Sequence, residues 1–244
     1  MLQPHLAPSQ DPNAQNQRLL PLDQFSGSLG QRVYQSLHSA IMSLTYRPGE
    51  ILRKPDICDQ LAVSRSPVSD AVARLASEGL VDVVPQAGTY VAKFSMAEIR
   101  EGAFLREAIE VAAAEQVASG ISDEQVLLLQ RNLRLQEVLI ADGDIAGFYK
   151  ADGEMHSLIL SFTGYRKLAV VSETAWAHVN RARRLILPVP GRVAATLNEH
   201  RAIVGAFEAR DPVAARFAIR LHLRQLVTYL EPLERSHPDL FNPA

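Results

Sequence analysis

The chain contains 244 residues, 47% of them hydrophobic and 21% charged, which is the composition of a globular protein with room for one large or two ordinary domains. This composition excludes a collagen-like, disulfide-stapled or wholly disordered chain. The formal net charge of -2 argues against a protein that coats nucleic acid over its whole surface, but it allows a local contact. The single cysteine, Cys58, excludes an internal disulfide and a cysteine cluster for zinc, and it indicates a reducing compartment.

We expect a cytoplasmic protein without a membrane contact. The N-terminal residues lack the basic and apolar regions of a secretory signal. No stretch approaches the ~18 consecutive apolar residues that a transmembrane helix needs.

Apolar periodicity divides the chain into two domains, at 28–94 and 95–236. Residues 1–27 are rich in proline and glutamine and show no periodicity, so they are predicted to form a flexible tail. Residues 237–244 are expected to form a second tail.

The first domain is predicted to be a winged helix-turn-helix. Tyr34, Leu37 and Ile41 are spaced as on one face of a helix, and Gly79 ends a third helix before strand-like spacing begins. This order of elements is typical of a winged-helix domain, whose third helix enters the major groove of DNA. The expected elements are helices around 33–44, 55–62 and 66–78, followed by strands at 80–84 and 88–92.

The second domain is predicted to be an antiparallel bundle of six or seven helices, so the fold is mainly α. Ser122 with Gln125, Asp144, and Asp211 before Pro212 are helix start signals. The expected helices cover about 96–119, 122–141, 144–162, 165–186, 191–209 and 212–235.

Polar side chains around the start of the third helix are expected to contact DNA. Hydroxyls and N-terminal amides there can hold a phosphate, and Arg65 can bind a guanine edge or a phosphate. The alternative is a small packed unit without a DNA role, but the hairpin in the expected place favours DNA binding. The expected contacts are Arg53, Lys54, Ser64, Arg65, Ser66, Ser69, Arg74 and Gly88.

The first domain resembles the GntR family of bacterial transcription regulators over 31–93. The resemblance is carried by Arg47-Pro48-Gly49-Glu50, Leu61-Ala62-Val63-Ser64-Arg65-Ser66-Pro67-Val68, Leu75-Ala76-Ser77-Glu78-Gly79-Leu80-Val81 and Gly88-Thr89-Tyr90-Val91. It implies operator binding by a dimer, with recognition helices ~34 Å apart. One departure is Ser69, where the family commonly has an operator-reading arginine.

In the second domain, polar residues interrupt the apolar faces of three predicted helices. Asp152 and His156 lie one turn apart on one helix, and His200 and His222 lie on two others. Each histidine could be a satisfied core residue, but four such positions favour a site for a divalent metal such as zinc, nickel or manganese.

Three further positions are candidates for binding an effector. Arg106 and Glu110 share an inward face and form either an internal ion pair or, through Arg106, a fork for a carboxylate ligand. His178 lines the same cavity or is a core histidine. Arg181, Arg183 and Arg184 are interpreted as a solvated or interdomain face.

Residues 97–235 resemble the FCD ligand-binding domain of the FadR subfamily, in its shorter, VanR-like group. The resemblance is carried by Arg106-Glu107-Ala108-Ile109-Glu110, Asp152-Gly153-Glu154-Met155-His156, Glu199-His200-Arg201-Ala202-Ile203 and Leu221-His222-Leu223. It implies that Asp152, His156, His200 and His222 hold a metal, on which a small organic acid binds with help from Arg106. Met155 stands where the family usually has an aromatic residue, and Thr163-Gly164-Tyr165 stands where Ser-Gly-Asn is frequent.

These observations predict a metabolite-responsive repressor that acts as a homodimer on operator DNA and is not an enzyme. Two alternatives use the same four metal-ligand residues. One is a metal-dependent hydrolase-like enzyme that activates water, and the other is a regulator for which the metal itself is the signal.

Overall fold

The structure is a computed structural model that describes residues 18–168, 171 and 176–243. Two compact units are present within these residues. One unit combines the chain up to Met96 with the segment from Glu234 onwards, and the other extends from Ala97 to Leu233. The fold is mainly α, as predicted, with one small sheet.

The first unit contains the predicted winged helix-turn-helix. Ser28 and Gln31 form a capping box at the start of the first helix, and Ala62, in the left-handed conformation, ends the second helix at the turn into the third. The two strands pair antiparallel, with Val81 opposite Val91. The elements are Leu29–Met42 (α1), Lys54–Leu61 (α2), Arg65–Ser77 (α3), Val81–Val84 (β1) and Gly88–Val91 (β2).

A segment before α2 extends the wing and was not predicted. The amide of Val91 donates to Glu50 O at 2.8 Å, and the amide of Leu52 donates to Thr89 O at 2.7 Å. Leu52 is buried in the unit. The chain between α1 and α2 therefore forms an antiparallel bridge to β2, with Ile51 opposite Tyr90.

Residues 18–27, expected to belong to the N-terminal tail, pack on the first unit, whereas residues 1–17 lie outside the described part of the chain. Leu19 is buried in the apolar core, and the Ser36 hydroxyl donates to Leu20 O at 2.7 Å. Arg18 forms an ion pair with Glu50. The prediction of a tail was wrong here because one buried leucine and one ion pair leave no periodic pattern in the sequence.

The C-terminal segment, expected to be a tail, also packs on the first unit. Phe94 and Phe241 form a parallel bridge, and their ring centroids lie 5.6 Å apart. The Phe94 amide donates to Leu240 O at 3.0 Å. Leu240 and Phe241 are buried, so the end of the chain completes the apolar core near Phe94.

The second unit is the predicted helical domain. Ser122 with Gln125, Asp144, and Asp211 cap helices as expected. The segment expected as one helix over 165–186 is helical at 166–168 and from Ala177 onwards, and its residues 169, 170 and 172–175 lie outside the described residues. The helices are Met96–Ala118 (α4), Asp123–Ala141 (α5), Ile145–Phe162 (α6), Ala177–Ile186 (α7), Arg192–Glu208 (α8) and Pro212–Ser236 (α9).

In the described part of the chain, none of the helices has the length and apolarity required to cross a membrane.

The core of the second unit is formed by α4, α5, α6, α8 and α9, with Leu129, Met155, Ile159 and Phe207 among its buried residues.

Substituting Phe241→Ala should destabilise the first unit by about 3–5 kcal/mol, because it removes a buried aromatic ring and leaves a cavity against Phe94. Hydrogen exchange of the β1 and β2 amides measures this opening free energy without interference from the helical unit. Asn242→Ala is the control, because Asn242 is exposed and uses only its backbone amide, which donates to Phe94 O. Equal exchange in both variants would show that the C-terminal segment is not part of this core.

Candidate functional site

The start of α3 presents exposed polar groups. Arg65 and Ser66 are exposed on the first turn, and the side chain of the N-cap residue Ser64 makes no capping hydrogen bond. The hydroxyls and the N-terminal amides therefore remain open to an anion, and the positive end of the helix dipole favours a phosphate.

The start of α2 joins this surface. Lys54 Nζ donates to Ser69 Oγ at 3.4 Å, which links the N-terminal turn of α2 to α3. Arg53 is exposed immediately before Lys54. Gly88 begins β2 with φ +142°, and a Cβ there would lie 3.4 Å from Ile51 Cδ1, so glycine allows the wing its conformation.

Arg74 is not placed with the other predicted DNA contacts. Its guanidinium lies 3.7 Å from the ring centroid of Tyr34 on α1, and its Nε donates to Glu78 at 3.1 Å. The Tyr34 hydroxyl donates to the same carboxylate at 2.8 Å, and burial together with Glu78 raises the pKa of Tyr34 to about 12. Arg74 thus clamps α1 to α3, because its position near the C-terminal end of α3 puts it beside α1.

The four predicted metal ligands come together in the second unit. Asp152 and His156 lie on α6, His200 on α8 and His222 on α9, and all four are buried. One ligand atom from each residue lies within 4.8 Å of the others. The i, i+4 spacing on α6 puts its two side chains on one face, and the apolar stripes of α8 and α9 direct the other two inward.

Each imidazole is oriented by a hydrogen bond from its Nδ1 to a side-chain oxygen of a neighbouring residue. These bonds fix the tautomer, because a carboxylate or amide oxygen accepts and Nδ1 must then carry the proton. Each Nε2 therefore presents a lone pair. The pairs are His156 with Glu110 Oε2 at 2.5 Å, His200 with Gln136 Oε1 at 2.6 Å and His222 with Glu199 Oε2 at 2.7 Å.

The surroundings keep the three imidazoles neutral. Burial lowers the pKa of His156, and Arg106 adds to this effect against the opposing charge of Glu110. Burial and the neighbouring histidines hold the pKa values of His200 and His222 well below the usual value. Neutral imidazoles are the form that binds a metal.

The converging Nε2 atoms fit a cation. His156 Nε2 and His222 Nε2 lie 3.1 Å apart although both carry lone pairs. His200 Nε2 is buried without a hydrogen-bond partner, 3.5 Å from Asp152 Oδ1. Ligand atoms around a tetrahedral zinc at bond lengths of 2.0–2.1 Å are about 3.3 Å apart. The donor set and its spacing are therefore those of a metal site.

Glu110 supports this site and does not line the adjoining cavity. It is buried between Arg106, whose Nε donates at 2.6 Å, and His156. Burial disfavours its ionised form, but Arg106 and His156 outweigh that effect and hold the pKa of Glu110 far below its usual range. Of the two alternatives for Arg106 and Glu110, the internal ion pair is present, and Glu110 also contacts His156 of the cluster.

A small cavity, partly open to solvent, adjoins the cluster. Its polar lining is rich in arginine, which favours an anionic ligand. Arg106 lines the cavity, as expected for an effector-binding residue. The lining consists of Arg106, Asp152, Arg183, Ile186, Leu187, Arg192, Thr196, His222, Leu223 and Leu226.

His178 is not among the side chains that line this cavity. Its Nδ1 lies 3.8 Å from Glu98 on α4, and it is partly exposed. Its direction on α7 takes it towards Glu98, and its contact with an effector stays a prediction.

Two arginines at the cavity were not recognised in the sequence. Arg183, expected on a solvated or interdomain face, is buried and forms an ion pair with Asp152. Arg192 forms a bidentate pair with Glu199 at 2.6 and 2.8 Å. The i, i+7 spacing on α8 could have indicated the second pair, but no pattern indicates the first, because Asp152 and Arg183 lie on different helices.

Comparisons with known proteins agree with this arrangement. Residues 29–91 match the family described as "Bacterial regulatory proteins, gntR family", and residues 101–225 match the FCD domain. The HTH-type transcriptional repressor RspR of Escherichia coli K12 is 30% identical over 214 residues, which cover 88% of this chain and 94% of that protein. An HTH-type transcriptional regulator of Streptomyces ambofaciens is 31% identical over 219 residues, which cover 89% and 92% of the two chains.

Solved structures show the same fold. A GntR transcriptional regulator from Rhodococcus sp. RHA1 has a TM-score of 0.74 and 24% identity, covering 84% of this chain and 99% of its own. McbR of Escherichia coli has a TM-score of 0.71 and 19% identity, covering 85% and 99%. The chain therefore belongs to the GntR family of bacterial transcription regulators with an FCD domain, and it is a DNA-binding regulator and not an enzyme.

Proposed function

We propose that this regulator is a repressor that is released from its operator when a small organic acid binds at a divalent metal in the helical unit. The single observation that carries the proposal is the convergence of three imidazole Nε2 atoms and one carboxylate beside a cavity lined by arginines. A repressor that acts on a bacterial chromosome works in the cytoplasm.

The metal would be held by Asp152, His156, His200 and His222. Three imidazoles and one carboxylate suit zinc or nickel, and manganese also accepts mixed nitrogen and oxygen ligands. When bound, the metal supplies positive charge and a coordination position for a carboxylate oxygen of the effector.

Charge balance explains why an acid is the expected effector. Three cations line the cavity, Arg106, Arg183 and Arg192. They are paired with three anions, Glu110, Asp152 and Glu199. A divalent metal adds two positive charges to this balanced, largely buried set, and buried charges require compensation. An anionic ligand supplies it.

The effector would act on DNA binding through α4. This helix carries Arg106 and Glu110, and only residues 92–95 separate it from β2 of the wing. An acid that binds one arrangement of α4 more tightly shifts the population towards that arrangement. The size of the shift is set by the difference between the binding free energies of the acid for the two arrangements.

We further propose that the regulator is a homodimer joined through an exposed apolar face on α4 and α9. The exposed fractions are 72% for Phe104, 62% for Val213, 68% for Phe217 and 51% for Leu221. Ion pairs such as Arg224 with Glu107, at 2.8 Å, hold the two helices side by side.

The charges at this face favour a second copy of the chain as its partner. Three ion pairs join the acids Glu107 and Glu115 of α4 to arginines of α9, whereas the pair of Arg100 with Glu231 has the opposite polarity. A two-fold arrangement that packs α4 on the partner's α9 places acid opposite base and covers both apolar stripes. A dimer also supplies the two winged helices that a palindromic operator needs.

Phe217→Glu should therefore weaken the dimer by about a hundredfold or more, because a carboxylate would be buried in the apolar centre of the interface. Sedimentation velocity measures the monomer fraction, and circular dichroism checks the fold. Val138→Glu on α5 is the control, since Val138 is also an exposed apolar side chain in the same unit. A Phe217→Glu protein as dimeric as the wild type would exclude this face.

Arg65→Ala should weaken operator binding by roughly 1–3 kcal/mol, because it removes an exposed guanidinium from the first turn of the recognition helix. Duplexes selected by the wild-type protein from a random library serve as the probe, with affinity measured by fluorescence anisotropy at fixed salt. Arg131→Ala, an exposed arginine on α5, is the control. Unchanged affinity for Arg65→Ala would assign recognition to another surface.

His200→Ala should abolish stoichiometric metal, because it removes the ligand with the unpartnered Nε2. Elemental analysis of the purified variants measures the metal content, and His178→Ala, which lies outside the cluster, should retain the metal. A full metal complement in His200→Ala would show that the ligand set is wrong.

If metal removal alone abolishes operator binding and no acid has an effect, the metal itself is the signal.

A further inference from the structure

Asp152 would have two cationic partners, Arg183 and the metal, if a metal binds where the imidazoles converge. This buried arginine on α7 forms an ion pair with Asp152 Oδ2, and the other oxygen of the same carboxylate lies 3.5 Å from His200 Nε2. Asp152 is thus both the anionic metal ligand and the counter-ion of Arg183.

A metal and the Arg183 guanidinium would then share one carboxylate. Two cations within a few ångströms of each other repel strongly in a buried site, where water does not screen them. An arginine guanidinium stays protonated at neutral pH, so Arg183 is a full competing cation. A metal at Oδ1 and Arg183 at Oδ2 would therefore compete for the single negative charge of Asp152.

The other two arginines of the cavity do not face this competition. Arg106 is held by Glu110, and Arg192 is held by both oxygens of Glu199. These two carboxylates also orient His156 and His222, and neither belongs to the predicted ligand set. Of the three arginines, only Arg183 has a metal ligand as its acid partner.

We propose that Arg183 is an internal counter-cation that neutralises Asp152 before the metal binds, and that the metal displaces it so that its guanidinium becomes a ligand for the effector carboxylate. The proposal rests on the metal site proposed above. Arg183 lines the cavity, and its planar fork matches a carboxylate with two parallel hydrogen bonds. Metal and acid would then bind cooperatively, because the acid gives the displaced arginine a new partner.

The rest of the Arg183 environment is compatible with such an exchange. Its guanidinium carbon lies 5.3 Å from the ring centroid of Tyr149, and the Tyr149 hydroxyl donates to Asn180 O at 2.6 Å. A ring fixed in this way offers the displaced guanidinium a cation–π contact that does not depend on Asp152.

The first test is the affinity of the full-length protein for metal alone. Zinc is titrated in competition with a chromophoric chelator, into metal-free wild type, R183Q, R183K and R184Q. We expect the zinc affinity of R183Q to exceed that of the wild type by about tenfold or more, since the substitution removes the competing cation but keeps a side chain of similar reach. R183K keeps a cation and should stay within a few-fold of wild type. R184Q removes a charge from the next position, which stacks on Tyr149 at 3.9 Å, and should change the affinity less than R183Q.

The second test is the coupling to a carboxylate. Acetate is titrated into the cobalt-loaded proteins, and the visible absorption of cobalt reports changes at the metal. Acetate should act at about tenfold lower concentration on wild type than on R183Q, because only wild type has the displaced guanidinium to hold it. R184Q should behave as wild type.

The outcomes separate the two proposals. A wild-type protein that binds no metal contradicts the proposed metal site. A wild-type protein that binds metal, with an R183Q affinity equal or weaker, overturns the counter-cation role while leaving the metal site intact. Tighter metal binding by R183Q with an unchanged acetate response overturns the role of Arg183 as an effector ligand.

Discussion

The arrangement of the helical unit depends on three hydrogen bonds from histidine Nδ1 atoms to Glu110, Gln136 and Glu199. Each bond places the proton on the outer nitrogen and turns the inner one towards the same point. Lone pairs of neutral imidazoles that point at one another repel, so these hydrogen bonds are needed to hold the three rings in this orientation. The oxygen acceptors lie on α4, α5 and α8, so the helices that build the bundle also set the chemistry of its centre.

The same bonds join the metal-ligand cluster to the cavity. Glu110 orients His156 and holds Arg106, while Glu199 orients His222 and holds Arg192. Each of these arginines is therefore linked through a single carboxylate to a histidine of the proposed metal site. This connectivity gives a physical reason for metal and acid to influence each other, since a change of charge at either place alters the same two carboxylates.

Much of the fold could be predicted from local signals. Capping residues such as Ser122 and Asp144 gave helix starts that the structure confirms, and the spacing of apolar residues gave the order of the winged helix. Helical periodicity alone indicated that four polar residues on three helices face inward, and the structure brings them together. Residues 18–27 and the C-terminal segment were mispredicted, since single side chains such as Leu19 and Phe241 hold them in place.

Partners on different helices could not be predicted in the same way. Helical periodicity indicates on which face of its own helix a residue such as Arg183 or Gln136 lies. It does not indicate which side chain of another helix that residue contacts. The pairs of Arg183 with Asp152 and of Gln136 with His200 depend on the relative rotation of whole helices. Arg74 shows the reverse case, in which a plausible DNA contact is taken up by Tyr34 and Glu78 of its own unit.

The proposed metal site can be located by anomalous diffraction from crystals of the purified protein, recorded above and below the absorption edge of the metal found by elemental analysis. We expect one strong peak in the helical unit, about 2.0–2.2 Å from His156 Nε2, His200 Nε2, His222 Nε2 and an oxygen of Asp152. A peak coordinated by other residues, or no peak in protein that still releases DNA in response to an acid, would rule this site out.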